Sequence, residues 1–197
     1  MIQEKTVKAT SGYVMLFFAF ALIASSVFFL AFKLIIAAIP AILIGVTIMT
    51  GFFVINPNGS IVLTLFGEYK GTIKENGFYW ANPFYTKKRV SLRARNFDSD
   101  RVKVNDKLGN PIMISVILVW KVSDTFKAAF GVDDYQNFVR VQTDAAVRKM
   151  AGSYPYDDWE DNDDYRITLR SGMTEVNEAL EDEVSERLQI AGIEVTE

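Results

Sequence analysis

Residues Tyr13–Ile55 read YVMLFFAFALIASSVFFLAFKLIIAAIPAILIGVTIMTGFFVI, an apolar stretch whose only charged side chain is Lys33. As one straight helix, this stretch would be about 64 Å long. The hydrocarbon core of a bilayer is only about 30 Å thick and is crossed by roughly 20 apolar residues. The stretch is therefore too long for one membrane span and suits two. We predict an N-terminal membrane anchor over residues 1–55, formed by a pair of transmembrane helices.

The break between the two passes is predicted at Phe32–Lys33, extending to Pro40. Two geometries fit this hairpin turn: two full spans joined at Lys33, or a re-entrant hairpin kinked at Pro40. A single span, which would place the rest of the chain on the opposite side, is a third alternative. A cleaved signal peptide is disfavoured because its apolar region would be much shorter.

Basic residues flank the apolar stretch on both sides and set the expected orientation. Because positively charged flanks stay on the cytoplasmic side, both ends of the stretch are predicted to be cytoplasmic. We expect an integral protein of a bacterial inner membrane with a cytoplasmic soluble part. The flanking residues are Lys5, Lys8, Lys70, Lys74, Lys87, Lys88 and Arg89.

Small residues recur at a spacing of four in the second half of the stretch. Ala37, Ala41 and Gly45 form a row that lets two helix backbones approach closely. The predicted partner is either the first span, through Ala21 and Ser25, or a neighbouring subunit. A chance occurrence is an equally good explanation, since small residues are common in membrane helices.

The composition excludes several kinds of functional site. The chain has no cysteine and no histidine, so disulfides, the usual zinc sites and a Ser-His-Asp triad are excluded. It contains neither GxxxxGK[ST] nor GxGxxG. The acidic run Asp157–Asp164 lacks the ligand spacing of an EF-hand loop. We predict no catalytic residues, no cofactor and no metal.

The distribution of charge argues against a nucleic-acid partner. Residues 56–153 carry 15 Lys+Arg against 9 Asp+Glu, whereas residues 154–197 carry 3 against 14. The basic part directly follows the membrane stretch and suits contact with an anionic leaflet. The strongly acidic part would be repelled by nucleic acid.

An aromatic and basic patch lies in this basic part. Aromatic side chains followed by cations are typical of a membrane–water interface, although the aromatics also suit the core of a small sheet. The predicted membrane-surface contacts are Trp80, Phe84, Tyr85, Lys87, Lys88 and Arg89.

The soluble part alternates between strand and helix signals in a set order. Alternating apolar residues and turn dipeptides predict mainly antiparallel strands up to Val122. Helices follow at 125–130, 134–151 and 168–191, and a last strand at 193–196. The order predicts an α+β fold. The predicted strands are 60–66, 87–97, 101–105 and 111–122.

Several motifs in this order are similar to those of one family. The chain resembles the SPFH (band 7) superfamily, which includes stomatins, prohibitins and flotillins. The motifs are Phe66-Gly67, Gly71-Thr72, Gly77-Phe78-Tyr79-Trp80, Asn82-Pro83-Phe84, Asp106–Pro111, Trp120-Lys121-Val122, Asp144–Arg148 and Ala191–Val195.

The resemblance implies a fold and a function. It implies a β-rich first subdomain over 56–105 and an α+β second subdomain over 106–197. It also implies a non-catalytic scaffold that forms homo-oligomers on a lipid bilayer and organises microdomains, or holds a membrane protease or channel. The alternatives are a regulatory subunit of a membrane protease and, less in keeping with the residues, a membrane-linked hydrolase. Relatives usually continue into a long oligomerising helix, so we expect a piece of a longer protein.

Overall fold

A computed structural model describes residues 3–157 and 167–196. The chain divides into two compact units, Met1–Ser91 and Leu92–Glu197. The division falls at neither of the expected boundaries, Ile55 and Asn105. The apolar helices and the first strands form one unit, because strands that precede and follow the helices belong to the same sheet.

The apolar stretch contains two helices of unequal length. Helix α1 covers Gly12–Ala31 and helix α2 covers Ile35–Met49. At 20 residues, α1 is about 30 Å long and is long and apolar enough to cross a membrane. The 15 residues of α2 reach only about 22 Å. The structure therefore has one helix of spanning length and a shorter apolar one.

The end of the apolar stretch is a strand and not a helix. We predicted membrane residues up to Ile55, but α2 ends at Met49 and Phe52–Ile55 forms strand β2. The aromatic and β-branched residues of this segment suit a strand, and Phe53 and Ile55 are buried in a sheet core.

Six strands in two sheets complete the first unit. All strand pairs are antiparallel, as predicted. The sheet orders are β1-β5-β2 and β4-β3-β6. Phe66-Gly67 forms the turn between the third and fourth strands. The strands are β1 Thr10–Ser11, β2, β3 Gly59–Leu65, β4 Glu68–Ile73, β5 Gly77–Trp80 and β6 Thr86–Ser91.

The second unit contains shorter strands than predicted. The expected strand 87–97 divides into β6 and β7 (Arg95–Asp98), which belong to different sheets. The expected strand 111–122 divides into β9 (Pro111–Ile114) and β10 (Ile117–Val122). The interruption at Val116 is held by hydrogen bonds with Ser99. Strand β8 covers Val102–Asn105 and pairs with β9.

Three helices and a last strand complete this unit. The mixture of helix and sheet confirms the α+β class. The helix expected over 168–191 is shorter, and its last turn is a 3₁₀-helix. The elements are α3 Thr125–Phe130, α4 Tyr135–Ala151, α5 Met173–Leu188 and β11 Ile193–Val195, which pairs with β10.

A buried carboxylate links two segments of the second unit. Asp106 is 5% exposed, and its two side-chain oxygens accept hydrogen bonds from the backbone N–H groups of Leu108, Asn110 and Tyr156 and from the Asn110 side chain. Burial alone would raise the pKa of Asp106. The hydrogen bonds from Asn110, Tyr156 and Leu108 outweigh burial and lower the pKa.

Asp106→Asn is expected to destabilise the second unit at neutral pH. The amide presents a donor where the carboxylate accepts, so at least one N–H loses its partner, and we expect Tm to fall by roughly 5 °C or more. Since the folded pKa is lowered, the carboxylate stabilises the fold above about pH 4 and loses this effect as pH falls through the folded pKa. Melting curves of both proteins should therefore converge in acid. The exposed Asp133→Asn serves as the control, and equal Tm values for wild type and Asp106→Asn at pH 7 would contradict the assignment.

Candidate membrane interface

Strand β5 pairs with the strand that precedes α1 and with the strand that follows α2. Its Trp80 lies opposite Thr10 of β1 on one side and opposite Phe52 of β2 on the other. Strand β1 leads directly into α1, and α2 is followed by β2 after two residues. Both helices therefore leave the sheet at its Trp80 end.

The residues before α1 are fixed to the same unit. The Val7 N–H donates to the Thr72 carbonyl at 3.0 Å, and the Thr72 N–H donates to the Lys5 carbonyl at 2.8 Å. Glu4 and Lys74 form an ion pair at 2.8 Å. The N-terminal segment and the chain after α2 consequently lie together on one side of the hairpin.

The end of α2 is in direct contact with Trp80. The indole Nε1–H donates to the Ile48 carbonyl at 2.8 Å, and the Ala81 N–H donates to the Gly51 carbonyl at 3.1 Å. A Cβ atom on Gly51 would overlap the indole ring and lie 2.5 Å from the Ala81 carbonyl oxygen. Glycine is therefore required at position 51, where helix and sheet approach most closely.

The predicted basic residues lie on β6 and do not form a single patch. Lys87 lies over the Phe53 ring, with its Nζ 5.3 Å from the ring centroid, and 3.5 Å from the Gly51 carbonyl oxygen. Burial lowers the pKa of Lys87. Neighbouring residues of a strand point to opposite faces, so Lys88 is separated from Lys87 and Arg89. Both Lys88 and Arg89 are exposed.

Two of the predicted aromatics, Phe84 and Tyr85, lie in the connection from β5 to β6. Phe84 is 67% exposed in a turn in which its own N–H donates to the Asn82 side chain and the Tyr85 N–H donates to the Asn82 carbonyl. Tyr85 packs against the apolar core of the unit. Phe84 is thus presented to the surroundings next to the end of α2, whereas Tyr85 supports the turn.

A further exposed aromatic, Phe66, was not among the predicted contacts. It lies with Gly67 in the two-residue turn between β3 and β4, with φ of 49° and 87°. Phe66 is 89% exposed. Type I′ turns have this backbone and favour Asn-Gly or Asp-Gly, so a phenylalanine here departs from the local preference. This unusual phenylalanine at a turn was the feature of the sequence from which Phe66 could have been predicted as a contact residue.

The turn between β3 and β4 lies at the same end of the first unit as Trp80. Strand β2 runs away from the Trp80 end and is followed by a turn. Strand β3 begins after this turn and runs back toward the Trp80 end. Its Thr64 lies opposite Thr86, the first residue after the Phe84 turn. Phe66 follows two residues later, roughly 7 Å further along the strand direction. The two exposed phenylalanines are therefore brought to one end of the unit.

Two of the three predicted small residues of α2 are buried against the other helix. Ala41 and Gly45 are buried, but Ala37 is exposed and Ala38 takes its place. The partner surface is on α1, where Ala19 and Ser26 are buried and the predicted Ala21 is exposed and Ser25 only partly buried. A Cβ atom on Gly45 would lie 3.2 Å from Ile23 Cγ1.

The turn between the helices contains Lys33, whereas Pro40 lies inside α2. Lys33 has φ of 58°, its N–H donates to the Leu30 carbonyl, and the Leu34 N–H donates to the Phe29 carbonyl. These two hydrogen bonds form a Schellman cap, in which Lys33 occupies the position usually taken by glycine. Helix α1 therefore ends at Ala31, two residues before Lys33, and α2 continues through Pro40.

Large apolar side chains point outward all around the two helices. Phe17 is 70% exposed and Ile36 is 93% exposed. An apolar surface of this extent is rare on monomeric soluble domains and is consistent with membrane association. The described residues include no group of three acidic side chains placed to hold a metal ion. Apart from Asp157, the acidic run Asp157–Asp164 lies outside the described residues.

Comparison with known proteins identifies a family for this chain. The model of the SPFH domain / Band 7 family matches residues 53–197. No curated protein matches the chain. The matched region begins in β2, directly after the apolar helices, and includes the whole second unit.

Proposed function

The chain belongs to the SPFH domain / Band 7 family, and from this we propose that it is a non-catalytic membrane scaffold that forms homo-oligomers and organises membrane microdomains or membrane protein complexes. SPFH domain proteins are generally membrane-associated scaffolds, and the family is generally non-catalytic. One observation carries the proposal: the strands on both sides of Trp80 lead into and out of the apolar helices. The folded unit is thus built directly onto its membrane anchor.

In this proposal the two helices cross the membrane as a pair. A 20-residue α1 that begins at the sheet places Lys33 about 30 Å away, at the opposite surface. A lysine inside the hydrocarbon core would cost about 2.5–3.5 kcal/mol, which favours the opposite surface. Helix α2 returns about 22 Å, and the turn Thr50-Gly51 then joins it to β2.

This geometry sets the Trp80 end of the first unit at the leaflet surface. We assign Trp80, Phe84 and Phe66 to the interface, where aromatic side chains are favoured, with Lys87 and Arg89 near the head groups. Tyr85 supports the turn from behind. The many basic residues around the anchor favour the cytoplasmic side for this surface.

The scaffold proposal is tested by the mass of the full chain extracted in a mild detergent or in native nanodiscs. A scaffold is expected to run as a large homo-oligomer in native mass spectrometry and to appear as closed assemblies by cryo-electron microscopy. A monodisperse monomer over the accessible concentration range would contradict the proposal.

A further inference from the structure

A cleft of about 300 Å³ lies in the first unit beside the strand that leads into α1. Three segments form its walls: residues 7–10, the β3–β4 hairpin and the start of the β5–β6 connection. The cleft is lined on one side by apolar groups and carries two lysines. The lining residues on which the inference depends are Val7, Ala9, Leu63, Trp80, Lys8 and Lys70.

The two lysines make the cleft suited to an anion. Lys8 is exposed and forms no ion pair with a described residue. Lys70 pairs with Glu68 at 2.6 Å, but the Glu68 side chain is 72% exposed. Such a surface pair contributes little free energy, so another anion can replace the carboxylate. Two ammonium groups at one cleft provide several donors for a phosphate oxygen.

The position of the cleft suits a ligand that is held by the bilayer. Thr10, also in the lining, lies two residues before α1, and Trp80 is hydrogen-bonded to the last turn of α2. The cleft therefore opens where both helices enter the membrane. Its volume is at the lower limit for ligand pockets, so it accommodates a head group while the attached chains remain in the bilayer.

We propose that this cleft binds the head group of an anionic glycerophospholipid from the adjacent leaflet. Lys8 and Lys70 contact the phosphate, and Val7, Leu63 and Trp80 pack against the glycerol region. The apolar wall favours a phospholipid over free phosphate, which would gain nothing from it and would lose water there. The inference rests on the membrane placement proposed above.

The test uses the full chain and counts bound lipid by native mass spectrometry. Nanodiscs of phosphatidylcholine with an increasing fraction of phosphatidylglycerol supply the probe. We expect saturable retention of phosphatidylglycerol, weakened about 30-fold by Lys8→Gln with Lys70→Gln. The control, Arg101→Gln with Lys103→Gln, removes the same charge from two exposed residues of the second unit and should retain the lipid within about 2-fold, the spread expected of context alone.

Three results would overturn the inference. The first is an equal loss of phosphatidylglycerol in both double variants, and the second is full retention of this lipid in both. The third is displacement of the lipid by inorganic phosphate. Lys8→Gln alone alters one exposed side chain and guards against misfolding; it should weaken retention about 5-fold. Membrane placement is measured separately by cysteine labelling, so a failed lipid site leaves that result unchanged.

Discussion

Replacing Gly45 with leucine is expected to destabilise the packing of the two apolar helices by about 1–3 kcal/mol. Even a Cβ atom at position 45 would lie 3.2 Å from Ile23 Cγ1 and 4.0 Å from the Ala19 carbonyl oxygen. In lipid the attraction between helices comes from close van der Waals contact, which a leucine at this position would prevent. The measurement is the midpoint of unfolding of the full chain in mixed micelles with increasing SDS.

Two matched comparisons make this result specific. Val46→Leu enlarges the neighbouring residue, which is 54% exposed, and should leave the midpoint unchanged. Ala38→Leu should lower the midpoint, whereas Ala37→Leu should not, because only Ala38 is buried. If Ala37→Leu is the damaging member of the pair, the helix phase described above is wrong.

Replacing both Phe66 and Phe84 with aspartate is expected to detach the Trp80 end of the first unit from the bilayer. Each phenylalanine contributes roughly 1.5–3 kcal/mol when fully buried, so the pair contributes about 3–6 kcal/mol. Because the chain has no native cysteine, a fluorescent label at Thr86→Cys reports on this edge alone. Quenching of the label by nitroxide lipids should be strong with both phenylalanines and nearly lost with both aspartates.

The chemistry of the turn separates detachment from misfolding. Aspartate tolerates the φ of 49° at position 66 better than phenylalanine and is favoured before glycine in a type I′ turn. The hairpin should therefore be at least as stable in the variant. Phe66→Leu with Phe84→Leu retains apolar area and should preserve quenching. Unchanged quenching in the aspartate variant would refute the contact.

The sequence pattern predicted well those features that depend on local chemistry. The change of direction near Phe32–Lys33 and the antiparallel strands follow from spacing and turn residues. Helical spacing also predicts one buried face for α5, and Val176, Leu180, Val184 and Leu188 are buried there, whereas Met173 and Ile190, which share the pattern, are exposed. The end of the apolar stretch could not be predicted in this way, because Phe52–Ile55 is equally apolar in a membrane and in a sheet core. Only its pairing with β5 separates the two.

Helix α4 shows a second limit. Helical spacing predicts a buried face of Phe138, Val141, Ala145 and Met150; Met150 is buried, but Val141 is 52% exposed and Thr143 is fully buried. The buried face of α4 includes a threonine and excludes a valine, so hydrophobicity alone does not identify it. The prediction of the membrane interface missed Phe66 because its closeness to Phe84 depends on the fold. The two residues lie at one end of the unit only because β3 pairs with β6.

The most direct test of the membrane placement is labelling of single cysteines by a membrane-impermeant maleimide in sealed vesicles. The positions are Gln3, Asn58 and Lys33, all exposed in the structure. We predict that Gln3→Cys and Asn58→Cys react from the same side and Lys33→Cys only from the other. Reaction of Gln3→Cys and Asn58→Cys from opposite sides would contradict the hairpin, and reaction of Lys33→Cys from their side would contradict two full passes.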